Sequence, residues 1–138
     1  MTTPHHRLLE VALYCDDPAR TATFYRRLLG AAVLFEDDRL VALDAGQSTV
    51  LLLFRRGGSA KGLALQNGRI PPHDGSGPIH LAFGIGLADL DEWETRLNEM
   101  HVPIESRVDW ARGGKSLYFR DPDGHSVELA TPGTWVVY

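Results

Sequence analysis

The order of secondary-structure elements predicted by the sequence occurs twice along the chain, and this repeat constrains the fold more than any single motif. Residues 8–15 are rich in strand-forming side chains. Asp17-Pro18 then supplies an N-cap and a first-turn proline for a helix over residues 18–29 that ends at Gly30. Three strand-like runs follow: AAVLFE, RLVALD and STVLLLF. The first part of the chain therefore has the predicted order βαβββ.

The same order returns from Pro78. The run PIHLAFGI predicts a strand, and LADLDEWETRLNEM predicts a helix at about residues 89–100, because its apolar residues recur at steps of three and four. Three further strands complete the second module: PIESRV, KSLYFR and HSVELAT. One helix with four strands buries too little apolar surface alone, so module one (about 8–54) and module two (about 78–133) are expected to pair in a single domain, residues 1–138.

Residues 55–77 connect the two predicted modules. They contain five glycines up to Gly75 and the Pro71-Pro72 pair. An irregular connection longer than about 12–15 residues is uncommon in a compact domain and is usually functional or mobile. A plain linker is the alternative, and the sequence favours neither.

Composition excludes several classes of function. With Lys+Arg 14 against Asp+Glu 18 and a net charge of -4, the chain has no basic block to follow a phosphate backbone, so no nucleic-acid partner is expected. No apolar run approaches the ~20 residues of a membrane-spanning helix, so no membrane partner is expected either. The single cysteine, Cys15, excludes a disulfide within the chain, and MTTPHHRLLE lacks the apolar run of a signal peptide. We expect a cytoplasmic protein.

Three ionisable residues stand at comparable strand positions of the two modules. Superposing the modules aligns Glu10 with His80, and Glu128 lies in the last strand. Because successive strand side chains alternate between the two faces of a sheet, each shares its face mainly with small residues, opposite a bulky aliphatic face suited to pack under a helix. Aligning VLLLF with VELAT places the apolar Leu51 at the fourth comparable position. The three polar side chains are expected to converge on a concave surface.

Each of these residues also has an ordinary structural explanation. A single glutamate near the start of a strand is more often solvent-exposed than functional, and a single strand histidine is more often a hydrogen-bonded core residue than a ligand. Their corresponding places in a duplicated pattern favour a shared role.

The pieces LLEVALYCDDPARTATFYRRLLG, GPIHLAFGI and SLYFRDPDGHSVELATPG resemble the vicinal oxygen chelate superfamily, which includes glyoxalase I, bleomycin-resistance proteins, methylmalonyl-CoA epimerase and extradiol dioxygenases. The resemblance covers the chain from about Leu8 to Gly133. It implies an α+β fold in which two βαβββ modules form an open, curled mixed β-sheet barrel around a divalent metal ion, with the helices packed outside. Since paired modules in this superfamily commonly associate and exposed sheet edges need cover, a homodimer is also expected.

Carried over residue by residue, the metal positions of the superfamily fall on Glu10, His80 and Glu128, with Leu51 at an optional fourth position. The first ligand is usually His, so Glu10 is a departure, and the fourth position is apolar. One His with two carboxylates suits Zn, Ni, Mn or Mg at least as well as Fe, and it argues against the two-His, one-carboxylate chemistry of the iron dioxygenases.

Such a site implies a reaction on a small molecule with vicinal oxygens. The ion would act as a Lewis acid that stabilises an enediolate, while a nearby carboxylate moves the proton. Glu10 and Glu128 are the catalytic candidates. Glu10 would be a loosely bound ligand that exchanges a proton, and Glu128 would be the firmer ligand.

Four further residues are candidates for contact with the substrate. Tyr118 and Arg120 alternate with core-facing residues and so point, with Ser116, to the concave side. There the Tyr118 phenol either orients a substrate oxygen or fills the barrel. His73 either folds over the cavity as part of a lid or lies on the surface, and Trp110 either lines the mouth of the cavity or anchors a loop.

Two classes of function remain open. The first is a metal-dependent lyase or isomerase similar to glyoxalase, and the second is a metal-free protein that sequesters a drug or metabolite, similar to the bleomycin-resistance proteins. Three polar ligand positions favour the enzyme, because a sequestering pocket gains nothing from unpaired charges that are costly to bury. A dioxygenase is a third, weaker alternative.

Overall fold

The computed structural model describes residues 2–138, which divide into two compact units. The first unit ends at Ser76 and contains β1 (Glu10–Cys15), α1 (Pro18–Leu29), β2 (Val33–Glu36), β3 (Leu40–Asp44), β4 (Val50–Arg55), β5 (Leu63–Leu65) and β6 (Gly68–Ile70). The second unit begins at Gly77 and contains β7 (His80–Gly84), a 3-10 turn (Leu87–Asp89), α2 (Leu90–Glu99), β8 (Ser106–Asp109), β9 (Lys115–Arg120) and β10 (Ser126–Ala130).

The first helix has the boundaries that the sequence predicts. Asp17 caps it, because its side-chain Oδ1 accepts a hydrogen bond from the backbone N–H of Ala19 at 3.1 Å. Gly30 ends it in the left-handed conformation, with φ at 67°, and donates its N–H to the carbonyl of Arg26. Both ends are therefore fixed by the residue types that predicted them.

The second helix lies within one residue of its predicted bounds at each end. The apolar spacing predicts a helix over about residues 89–100, whereas α2 spans Leu90–Glu99. The 3-10 turn Leu87–Asp89 precedes α2, and Leu97 on the helix is fully buried.

The two units contain four-stranded sheets of corresponding strand order. The order is β1-β4-β3-β2 in the first unit and β7-β10-β9-β8 in the second. β1 runs parallel to β4 and β7 runs parallel to β10, whereas the other neighbours within these sheets are antiparallel. The chain therefore has the predicted α+β class with mixed sheets.

Each four-stranded sheet has one face that is almost completely buried. In the first unit, α1 packs against the sheet, and the buried face carries Leu13, Val41, Leu43, Leu51 and Leu53. In the second unit, the buried face carries Leu117, Phe119, Val127 and Leu129. The opposite faces carry the polar candidates. The opposite face of the first sheet is called the Glu10 face, and it also carries Ala12, Tyr14, Leu52 and Phe54. The opposite face of the second sheet is called the His80 face, and it also carries Ser116, Tyr118 and Glu128.

The strand register shows that the sequence alignment of Leu51 with Glu128 is wrong by one residue. Ala12 of β1 lies opposite Leu52, and the corresponding Ala82 of β7 lies opposite Glu128. The run of leucines is apolar on both faces, so it contains no alternation from which the register could be read. Leu51 is 2% exposed on the other face. The position of β4 that corresponds to Glu128 is Leu52, which is also apolar.

The connecting segment, residues 55–77, is more ordered than the sequence predicts. β5 and β6 pair as an antiparallel hairpin within it, and the segment is part of the first unit as far as Ser76. The strands of this hairpin have three residues each, too few to produce a readable alternation. Among residues 2–138, no helix is long and apolar enough to cross a membrane.

Candidate metal centre

His80 and Glu128 meet on the His80 face of the second unit. His80 begins β7, Glu128 lies in the middle of the neighbouring strand β10, and the parallel register places His80 opposite Ser126, two residues before Glu128. Their side chains therefore lie on the same face one step apart. His80 Nε2 is 3.3 Å from Glu128 Oε1.

The spacing of these two atoms suits a shared metal ion. Two ligand bonds of roughly 2.1 Å that meet at angles of about 90–110° place their donor atoms about 3.0–3.4 Å apart. The observed 3.3 Å between Nε2 and Oε1 lies in that range. An imidazole nitrogen and a carboxylate oxygen are ligands for Zn, Ni, Mn or Fe.

A hydrogen bond on the far side of the imidazole ring orients His80. Its Nδ1 lies 2.9 Å from the backbone carbonyl oxygen of Ser126. A carbonyl only accepts, so Nδ1 carries the proton and the lone pair of a neutral ring is on Nε2. Metal-bound histidines have this second bond almost without exception.

A chain of side-chain hydrogen bonds orients Glu128. Its Oε2 accepts from the hydroxyl of Ser116 at 2.5 Å, and the same hydroxyl accepts from the indole N–H of Trp110 at 2.7 Å. Glu128 and Ser116 are both buried. Because Oε2 is held by Ser116, Oε1 is the oxygen that faces His80.

Tyr118 completes this face. It lies directly opposite Glu128 in the β9–β10 pair, and its ring stacks on that of His80 with centroids 6.1 Å apart and planes inclined by 26°. Burial, followed by the negative charge of Glu128, raises the pKa of Tyr118 above its usual 10.0. The phenol therefore stays protonated near neutral pH, with hydrogen-bond interactions to Glu128 and Ser116.

Glu10 lies in the other unit, at the exposed start of β1. Across residues 2–138, the side chains of His, Cys, Asp and Glu form no group of three that could hold a metal ion. Within the second unit, two of the three predicted metal ligands, His80 and Glu128, lie side by side.

The family model "Glyoxalase/Bleomycin resistance protein/Dioxygenase superfamily" matches residues 7–129 of the chain. The chain belongs to this superfamily. It is 34% identical over 119 residues to a metallothiol transferase FosB of Staphylococcus saprophyticus, covering 84% of this chain and 70% of that protein. It is 30% identical over 125 residues to a glutathione transferase FosA of Serratia marcescens, covering 88% and 78%.

Among solved structures, the chain is similar to a lactoylglutathione lyase from Agrobacterium tumefaciens. The TM-score is 0.86 with 34% sequence identity, and the match covers 97% of this chain and 99% of the other. A fosfomycin resistance protein FosX from Listeria monocytogenes matches with a TM-score of 0.66 at 19% identity, which supports the fold alone.

Three further residues were predicted to contact the substrate: Arg120, His73 and Trp110. Each has its own contacts in the structure. Arg120 pairs with Glu105 through Nε at 2.8 Å and donates to the Gly124 carbonyl, at the end of β9. His73 belongs to the first unit, where its Nδ1 lies 2.8 Å from the hydroxyl of Tyr14. Trp110 acts on Glu128 indirectly, through Ser116.

Sequence reasoning missed two functional candidates. Ser116 was placed on the correct face by strand alternation, but its bond to Glu128 depends on the register of two strands, which the sequence does not specify. Tyr14 lies on the Glu10 face of β1. Its contact with His73 joins residues 59 positions apart, and no local pattern signals such a pairing.

Proposed function

We propose that this chain is a metal-dependent, glyoxalase-like lyase or isomerase that acts on a small molecule with two neighbouring oxygens. The observation that supports it best is the 3.3 Å separation of His80 Nε2 and Glu128 Oε1, with each side chain oriented by a bond on its far side. Orienting bonds of this kind accompany metal ligands. A surface that only sequesters an apolar compound has no use for them.

The names of the relatives support a thiol adduct as the substrate. The lactoylglutathione lyase matches almost the whole length of the chain, and the two transferases are named for a thiol and for glutathione. We therefore propose a substrate formed from a thiol compound and a carbonyl compound, with oxygens on adjacent carbons. Transfer of a thiol to an electrophilic carbon is the second candidate reaction, favoured by the 34% identity to the FosB protein.

The third ligand in this proposal is Glu10, contributed either by the same chain or by a second copy in a homodimer. Glu10 stands at the start of β1 as His80 stands at the start of β7, in sheets of the same strand order. Its side chain is exposed and so able to turn toward an ion. Assembly of the two sheets into one open barrel, the homodimer and a cytoplasmic location remain predictions.

Each side chain has a distinct role in the proposed reaction. A bound divalent ion would supply Lewis-acid polarisation of the two substrate oxygens. His80 and Glu128 would hold that ion, and the protonated phenol of Tyr118 would donate a hydrogen bond to a substrate oxygen beside them. Glu10 would accept the proton from one substrate carbon and return it to the neighbouring carbon, so that the isomerisation needs no other reactant.

A metal-free binding protein is the alternative, and one observation favours it. His80 Nε2 lies 3.3 Å from Glu128 Oε1, close enough for an ion pair when the imidazole is protonated, and Ser116 satisfies the second carboxylate oxygen. Both oxygens of the buried Glu128 carboxylate then have partners without an added ion.

Two measurements on protein purified without a histidine tag distinguish the candidates. The first is the metal content and the affinity for Ni²⁺, Zn²⁺ and Mn²⁺. The second is turnover of the hemithioacetal of glutathione and methylglyoxal, measured alongside thiol consumption with an epoxide. The proposal predicts metal binding together with loss of the hemithioacetal. Thiol consumption alone would indicate the transferase, and the absence of metal binding would indicate the binding protein.

A further inference from the structure

We infer that His125, which directly follows the Asp121-Pro122-Asp123-Gly124 turn, is a positioning residue that fixes the place and the tautomer of the metal ligand His80. The inference rests on the proposed function and deepens it, because it names a further residue of the second unit that prepares His80 for an ion. All the contacts that support it lie within the second unit.

His125 is a fully buried histidine. Its Nδ1 lies 2.9 Å from the backbone nitrogen of Ile79, which donates its N–H to the ring. A backbone N–H only donates, so Nδ1 carries the lone pair and the proton of the neutral ring is on Nε2. Ile79 immediately precedes His80. The buried imidazole therefore bonds to the chain one residue before the metal ligand.

Two further hydrogen bonds join the same two segments of the chain. The N–H of Ser126 donates to the Ile79 carbonyl at 2.8 Å, and Nδ1 of His80 lies 2.9 Å from the Ser126 carbonyl oxygen. The segments are thus linked by three bonds in succession, at the point where β7 and β10 begin to pair. The His125 ring supplies the first of these bonds, before the ladder of β7 begins.

His80 needs this support because it is the first residue of β7. The ends of an element open more easily than its middle, and the residue two positions before His80 is a proline, which has no N–H to extend the ladder. With the Ile79 N–H held, the His80 ring reaches the Ser126 carbonyl and keeps its lone pair on Nε2, the atom that faces Glu128. Loss of the His125 bond should allow both the ring and its tautomer to vary.

The turn before His125 fixes the backbone of His125 itself. Oδ1 of the buried Asp121 accepts from the N–H groups of Asp123 and His125 at 2.9 and 3.0 Å. The Asp121 N–H donates to the His125 carbonyl at 3.2 Å, and Gly124 has a φ of 83°, a conformation that favours glycine. The turn and the buried ring therefore support β7 from the start of the neighbouring strand.

The first unit has the same backbone bond with a different side chain beside it. There the Val50 N–H donates to the Leu9 carbonyl at 2.9 Å, at the corresponding step of the ladder. Thr49 takes the place of His125. Pairing of the two strands therefore does not require an imidazole at this position. The buried histidine belongs to the unit in which two predicted metal ligands lie side by side.

The test compares His125→Asn with His125→Gln, two amides that differ in where they place an acceptor. The Asn oxygen takes the position of the histidine Nδ1, whereas the Gln oxygen lies one bond further along the side chain, near the position of Nε2. Ring-nitrogen NMR of the metal-free full chain in weakly alkaline buffer measures the His80 tautomer. The wild type and His125→Asn should have the His80 proton on Nδ1, and His125→Gln should show a mixture of both tautomers.

Metal titration of the same preparations gives a second measurement. His125→Gln should bind Ni²⁺ about tenfold more weakly than the wild type, the usual effect of losing an orienting partner, and His125→Asn should bind it as the wild type does. Leu97→Ala is the control for stability, because it removes a fully buried side chain from α2. It should leave the His80 tautomer and the Ni²⁺ affinity unchanged.

Wild-type protein alone also tests the inference, whether or not the variants fold. The Ile79 amide should exchange slowly with solvent deuterium, and His125 should carry its proton on Nε2. Rapid exchange at Ile79, the opposite His125 tautomer, a folded His125→Gln that keeps a single His80 tautomer, or equal effects of the Asn and Gln variants would overturn the inference. Wild-type protein with the expected tautomers that binds no metal would contradict the proposed function alone.

Discussion

His80 and Glu128 face each other from neighbouring parallel strands, with Nε2 and Oε1 3.3 Å apart. Their backbones are fixed by the sheet, and their side chains are fixed by the Ser126 carbonyl and the Ser116 hydroxyl. No loop has to close to bring the two atoms together. Ligands supported in this way lose little conformational entropy when an ion binds.

Ser116→Ala should weaken metal binding while the fold is retained. The substitution removes the hydroxyl that holds Glu128 Oε2, so the carboxylate becomes free to rotate away from His80. Loss of an orienting bond of this kind typically costs about 10–100-fold in metal affinity. Titration of the purified variants with Ni²⁺ or Mn²⁺ measures the effect.

Ser126→Ala is the matched control for this prediction. Ser126 contacts His80 through its backbone carbonyl, which the substitution retains. Its metal affinity should equal that of the wild type. Equal affinities for the Ser116 and Ser126 variants would show that orientation of Glu128 does not matter for the site.

Replacing Leu51 by glutamate should destabilise the fold much more than replacing Leu52 by glutamate. Leu52 lies on the Glu10 face and is half-buried, so a carboxylate there stays close to solvent and costs little stability. Leu51 is 2% exposed on the other face, where an unpaired charge costs on the order of 3–5 kcal/mol. Denaturant unfolding of Leu51→Glu and Leu52→Glu compares them. Greater destabilisation at Leu52 would contradict the register.

Asp74 should make the stability of the chain depend on acid pH. Its pKa is lowered from the ordinary 3.8 by backbone N–H groups of Gly57 and Gly75. A carboxyl whose folded pKa is depressed stabilises the folded state above its unfolded pKa, and this stabilisation is lost as the pH falls through the folded value. Asp74→Asn should therefore lower the melting temperature at neutral pH, and the difference should shrink as the pH falls below the ordinary pKa of 3.8. A difference that stays constant from neutral to acid pH would exclude this account.

Mixing two inactive variants shows which chain supplies Glu10. If a second copy supplies it, a dimer of one Glu10→Gln chain and one Glu128→Gln chain has one intact site and one site with both substitutions. Random mixing then restores about a quarter of the wild-type activity. If Glu10 and Glu128 act within one chain, every site in the mixture has one substitution and activity stays absent. Light scattering of the same mixture, showing a dimer mass, is the control.

Local signals predicted the helices and the polar positions well. Asp17-Pro18 and Gly30 fixed α1 because N-caps, first-turn prolines and left-handed glycines act on their own neighbours. His80 and Glu128 were found because strand alternation places a side chain on a face without knowledge of its partner. These features depend on only a few consecutive residues.

Features that depend on pairing between distant residues could not be predicted. The leucine run of β4 is apolar on both faces, so the error at Leu51 was corrected only by the hydrogen-bonded register with β1. The bond between Tyr14 and His73, and the bond between Ser116 and Glu128, likewise exist only once strands and loops are in place.

The metal affinity of Glu128→Gln, compared with the wild type, tests the central claim most directly. The substitution keeps the volume and the bond from Ser116 but removes the charge that an ion requires. Wild-type protein purified without a tag should bind about one equivalent of a divalent ion, with release of protons. Glu128→Gln should lose that binding while its circular dichroism spectrum is unchanged. Wild-type protein that binds no divalent ion, or a variant that binds it equally well, would contradict the assignment of His80 and Glu128 as a metal centre.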